Sequence, residues 1–150
     1  MKILFVLIAT LCLLVPLVAQ AAEMPVGSVK TVKGTASIIR GNAAVETRSG
    51  TRVYRNDTLR TGADGSLSMV FRDDTLISVG PGSELAVNEF VFSPADGKLS
   101  IITRLLKGSA VYLSGIIARL SPESVRFETP VANIGIRGTK FAVKVEDLEK

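Results

Sequence analysis

Apolar and polar residues alternate with period two through much of the chain beyond residue 22. The clearest stretch is Ser66 to Phe71, where Leu67, Met69 and Phe71 fall on one face and Ser66, Ser68 and Val70 on the other. Thr75 to Val79 and Leu85 to Val91 repeat this pattern. Val29 and Val32, followed across Gly34 by Ala36, Ile38 and Ile39, predict a first hairpin. Leu99, Ile102 and Leu106 fit a helical period. Their segment is nonetheless short, rich in β-branched residues and runs into Gly108, so a strand is predicted there, with Ser109 to Leu113 alternating again. Ser114 to Glu123 leaves a helical turn or a loop open. Arg126 to Thr129 and Lys140 to Val145 predict the final strands.

Turn-forming pairs separate these segments about every ten residues. They include Lys33-Gly34, Gly41-Asn42, Ser49-Gly50, Asn56-Asp57, Gly62 to Gly65, Asp73-Asp74, Gly80 to Gly82, Pro94 to Gly97, Lys107-Gly108 and Pro122. A single sheet could not bury the apolar residues of so many strands. The predicted fold is therefore one all-β domain of about ten short antiparallel strands, curled into a β-helix-like or sandwich-like stack. It spans residues 23–150, with its core at 26–145. No strict repeat period supports a regular solenoid.

The N-terminus has a different character. Lys2 precedes an apolar run from Ile3 to Val18, and Ala19-Gln20-Ala21 supplies the small-x-small pattern of a signal-peptidase site. Residues 1–22 are expected to be a signal peptide, cleaved after Ala21 or Ala22. The rival is an uncleaved anchor, since the charge-free stretch Ile3 to Ala22 is just long enough to span a bilayer. Pro16 and the alanine cluster favour cleavage. Cys12 lies inside the apolar run and lacks the flanking residues of a lipidated cysteine.

Composition narrows the chemistry. The 150 residues contain no His, no Trp and a single Cys, which falls in the leader. The processed chain would therefore have no disulfide, no Cys-His or Ser-His-Asp catalysis and no His- or Cys-ligated zinc. Its net charge of about +3 is spread along the chain without a dense basic stripe, so nucleic acid is not an expected partner.

Several short motifs carry a resemblance. Glu128 to Phe141 (ETPVANIGIRGTKF) is similar to the terminal threonine-proline, arginine-glycine-threonine and phenylalanine pattern of the FecR family. Val26 to Gly34, Asp57 to Gly62, Asp73 to Val79, Pro81 to Leu85 and Leu106 to Gly108 resemble further family segments in the same order. Asn56 stands where the family usually has glycine. The resemblance implies an all-β fold and an envelope location. It makes Thr129, Pro130, Arg137, Gly138, Thr139 and Phe141 a family signature with an expected structural role. The best-known members join this domain to a cytoplasmic anti-sigma segment and a receptor-contacting domain. Here only Met1 and Lys2 precede the apolar run, so sigma-factor control is not an expectation carried over.

Each polar motif admits a functional and a structural account. Arg137 could clamp a carboxylate or phosphate with backbone N–H groups near Gly138. The preferred account has it satisfying carbonyls or a buried carboxylate such as Glu128 or Asp74. In that case Arg137→Ala would cost about 3–5 kcal/mol. Val131, Ile134 and Ile136 suggest packing around it. Asp57, Asp64, Asp73, Asp74 and Asp96 could offer oxygen ligands to a hard cation, but their spacing fits no calcium loop and turn capping is expected. Asp73 and Asp74, being adjacent, would not converge as a hydrolytic pair. Gly80-Pro81-Gly82-Ser83 is a turn rather than a phosphate loop. Phe90, Phe92 and Tyr112 are expected in the core rather than in an exposed patch.

No catalytic, cofactor-binding or metal-ligating residue is assigned. The expected function is that of a non-enzymatic, exported, periplasmic interaction module. Its partner would be another envelope protein or an envelope polymer, with membrane contact only through the leader if that is retained. The alternative is an accessory periplasmic sensor in a sigma-factor or iron-uptake type of signalling system. Outer-membrane association and secretion stay open as destinations.

Overall fold

The structure, a computed structural model, describes residues 22–146. The expected signal peptide, with cleavage after Ala21 or Ala22, lies outside the described residues except for Ala22. The chain is all-β. Its strands are β1 (Gly27–Lys33), β2 (Ala36–Arg40), β3 (Ala43–Glu46), β4 (Arg52–Val53), β5 (Thr58–Thr61) and β6 (Ser66–Phe71). They continue with β7 (Leu76–Val79), β8 (Glu84–Ser93), β9 (Lys98–Leu113), β10 (Val125–Glu128), β11 (Asn133–Gly135) and β12 (Lys140–Val145). One short helix, α1 (Ile116–Leu120), and 3-10 turns at Pro94–Asp96 and Pro122–Ser124 complete the described elements.

Strand β9 organises everything else. Residues 98–107 of β9 pair with β8, and residues 101–104 also pair with β10. Residues 108–113 pair with β12, and residues 110–113 also with β7. The sheet therefore folds about β9 into two halves. The back half runs β3-β2-β5-β8-β9-β10-β11, and the front half runs β12-β9-β7-β6-β1-β4. Lys107-Gly108, expected as a turn between two strands, is instead a bend inside one 16-residue strand. Gly108 has φ +84, a conformation costly for other residues, and an added Cβ would come within 2.6 Å of the Ser83 Cα.

The inner faces of the two halves form one core. Leu67, Met69 and Phe71 of β6 are buried as their alternation predicts, together with Ile77, Val79, Leu85 and Val87. Phe71 stacks on Phe90 at 5.3 Å between centroids, and Tyr112 meets Phe127 edge-on at 6.2 Å. Phe90 and Tyr112 are buried, with Phe92 packed against the cluster. Each such large side chain contributes about 1.5–3 kcal/mol through burial.

Three further expectations are corrected. First, β1 and β2 do not form a hairpin across Gly34. β1 pairs with β6 and β4, whereas β2 pairs with β3 and β5. Gly34, at φ +60, passes the chain from the front half to the back half, and the Gly62 N–H donates to the Thr35 carbonyl at 2.8 Å beside it. Two facing halves bury both strands' apolar residues, which a free two-stranded ribbon cannot do. Second, β10 runs parallel to β9. The segment Ser114 to Ser124 carries the chain back across the end of the sheet, as a parallel pair requires. Third, there are twelve described strands rather than about ten, and β11 within the Glu128 to Phe141 motif was not foreseen.

Candidate functional site

The hairpin β10–β11 turns at Thr129 to Ala132, and Thr129 closes that turn by itself. Its N–H donates to the Ala132 carbonyl at 2.8 Å, and its Oγ1 accepts from the Ala132 N–H at 3.0 Å. Pro130 occupies the second turn position, where its fixed φ is compatible. The consequence is a rigid tip that holds Val131 out in solvent at 84% exposure. The expected packing of Val131 is thus not what the structure shows, while Ile136 is buried and Ile134 half-buried.

That tip forms one wall of an apolar groove of about 580 Å³. Leu106 lies in its lining, β11 contributes Ile134, and β12 contributes Val143 and Val145. Leu106 is 37% exposed, between buried Leu105 and the bend at Gly108. The groove lies where the sheet does not close on itself. Among the described residues β11 pairs only with β10, and β12 only with β9, so each has a free backbone edge. Arg104, Glu128 and Asn133 line a polar recess of about 480 Å³ that shares residues 129–132 with the groove.

The remaining signature residues divide by role. Phe141 stacks on Tyr112 at 5.0 Å and meets Phe127 edge-on at 5.4 Å, which anchors β12 to the core. Gly138, at φ +131, and Thr139 present carbonyls to Ser114, whose Oγ donates to Gly138 at 2.8 Å and whose N–H donates to Thr139 at 2.9 Å. Arg137 is exposed and forms no ion pair among the described residues, so its expected pairing with Glu128 or Asp74 is corrected. The left-handed turn at Gly138 follows directly and leaves the guanidinium beside a shallow recess formed with Pro122, Glu123, Gly135 and Ile136.

The turn aspartates are structural. Asp73 is fully buried and accepts from the Thr75 N–H at 3.1 Å, the Thr75 hydroxyl at 2.8 Å and the Ile117 N–H at 3.2 Å. It therefore pins the start of α1 to the β6–β7 turn. Asp57 accepts from the Tyr54 N–H and from Arg40, a partner that no local spacing reveals. Asp74 is exposed at φ +66, whereas Asp73 is buried. No group of three acidic side chains among the described residues could hold a metal ion. Burial pushes the Tyr112 phenol up to about 12; its hydroxyl lies toward Thr75 and Asp73 without a hydrogen bond of ordinary geometry.

The family model described as FecR protein matches residues 57–149, so the chain belongs to the FecR family. That places it in a regulatory, signalling-related family whose members are typically envelope-associated. No curated protein matches, and no solved structure matches. The matched segment starts at Asp57, yet β1 and β4 pair into the same sheet as β6, so the folded unit extends ahead of it. No helix among the described residues is long and apolar enough to cross a membrane.

Proposed function

We propose that this chain is a non-enzymatic interaction module of the bacterial envelope, exported to the periplasm, and that it binds a partner protein in the groove between β11 and β12. The observation that carries this reading is the solvent-exposed apolar lining, with Val131 and Leu106 uncovered on either side. Exposed apolar surface of this kind costs solubility and is retained where a partner covers it. The occupant is an extended segment of another protein. Its backbone would pair with the free edges of β11 and β12, and alternate apolar side chains would enter the groove. An envelope polymer fits less well, because no exposed aromatic ring lines the groove for a sugar to stack on.

Membership of a regulatory family favours a signalling use of the same surface, with the chain acting on a separately encoded membrane regulator. Affinity capture from envelope extracts tests the reading. Wild-type protein should retain one partner that Val131→Asp loses at least ten-fold, with both proteins melting together. Equal retention by the variant, or capture of a polysaccharide instead, would overturn it.

A further inference from the structure

The two outer faces of the sheet differ in charge. On the back half, Arg60 donates to Glu84 at 3.0 Å, and Lys107 approaches the same carboxylate at 3.5 Å. Glu89, Arg104 and Arg126 add to a charge-laced surface of the kind water normally covers. The front half has no such network. Its outer positions on the three central strands are Ser66, Ser68 and Val70 of β6, Leu76 and Ser78 of β7, and Ser109, Val111 and Leu113 of β9. None is charged. A 2.8 Å contact of Ser68 with Ser78 links β6 and β7 on this face.

The charges of this face stand at its two sides, and the strand rows position them. One row reads Arg52, Ser28, Val70, Leu76, Leu113, Lys140. The next reads Thr31, Ser68, Ser78, Val111, Ala142. Lys33 pairs with Ser66 on one side, and Lys144 with Ser109 on the other. Lysines and Arg52 thus stand on both sides of the rim, where Glu146 pairs with Lys144 at 3.0 Å and Asp64 lies beside Gly34, next to Lys33. With strands about 4.8 Å apart, the two basic sides stand roughly 20 Å from each other.

We infer that this front face is a second docking surface, independent of the groove, for a protein that presents a flat, weakly polar strip bordered by carboxylates about 20 Å apart. Interface centres are depleted of charge and their rims are charged, which is the arrangement found here. A second copy of the chain would bring lysine against lysine. A membrane would need protruding aromatic or leucine side chains, whereas half of the central positions are serine. A sugar polymer would lack an aromatic platform. The face projects on the order of 400 Å², so the contact belongs to the small, transient class and its attachment weakens with salt.

Zero-length carbodiimide coupling, which joins an amine to a carboxylate only in direct contact, tests this in envelope extracts with the full chain. The expected result is isopeptide links from Lys33, Lys140 or Lys144 to Asp or Glu of one partner protein, lost when salt is raised. Ser78→Arg, which places a bulky charge at the centre, should reduce those links at least ten-fold. Lys140→Glu with Lys144→Glu, on an exposed edge strand, should do the same without altering the melt. Val131→Asp should leave them intact. Links through Lys98 or Lys107 instead, links to another copy of this chain, unchanged links in both front-face variants, or no links at all would each overturn the inference.

Discussion

Arg40 holds the buried carboxylate of Asp57 with two hydrogen bonds, Nε to Oδ1 at 2.9 Å and Nη2 to Oδ2 at 2.7 Å. Asp57 is fully buried, while the Arg40 side chain is 41% exposed and also lies over the Tyr54 ring. The pair ties the end of β2 to the turn that opens β5. Nε of Arg40 is thereby fixed, and its second Nη2 bond reaches the Arg52 carbonyl at 3.1 Å.

Removing the cation would leave a buried carboxylate with only the Tyr54 N–H as donor. Arg40→Ala should therefore destabilise by about 3 kcal/mol, the lower end for a broken buried pair because the guanidinium is partly solvated. Arg40→Lys should recover little, since an ammonium cannot make the two parallel bonds. Urea denaturation of the three proteins reads this directly. Equal midpoints would show that water compensates Asp57.

Tyr112 predicts an alkaline instability. Its phenol titrates near 12 in the fold, from an ordinary value of 10, because burial penalises the phenolate. The unfolded chain thus releases this proton first as pH rises. The stabilisation is complete below pH 10 and is lost progressively between pH 10 and 12, amounting to about 2–3 kcal/mol in all. Tyr112→Phe has no such proton and no unpartnered hydroxyl. It should match or exceed wild type by about 1 kcal/mol at pH 7 and lose less stability from pH 9 to 11.5. Parallel stability curves across that range would contradict the assignment.

Asn56 stands at φ +67, a left-handed conformation, where the family usually has glycine. Asparagine tolerates it better than any β-branched residue. Asn56→Gly should be neutral or slightly stabilising, and Asn56→Val should cost about 1–2 kcal/mol. Thermal melts of the three proteins, with the Asn56 N–H to Val87 carbonyl bond followed by hydrogen exchange, would check both directions.

Arg137, exposed and without an ion pair among the described residues, should be dispensable for folding. Arg137→Ala should shift stability by less than about 0.5 kcal/mol. A loss of several kcal/mol in a chemical melt would restore the expected buried partnership with a carboxylate such as Glu128 or Asp74.

Strand positions were legible because alternation is a local property. Leu67, Met69 and Phe71 had to share a face whatever else the chain did, and Asp73 caps its own turn through bonds to Thr75 two residues on. Pairing was not legible in the same way. Val29 to Val32 and Ala36 to Ile39 sit on either side of a glycine turn, as a hairpin would, yet each gains more by joining a different half of the sheet and burying its apolar residues against the other half. Gly108 could equally begin a turn or bend a strand, and only Ser83 packed against it and the separate partners of β9 on either side decide for a bend. The same division governs function. The threonine-proline and phenylalanine motifs could be seen along the chain. That Thr129 closes a turn holding Val131 outward, that Leu106 faces the groove from 25 residues away, and that Arg40 meets Asp57 are consequences of how distant strands come together, because the free energy that selects those contacts comes from burying the whole core at once.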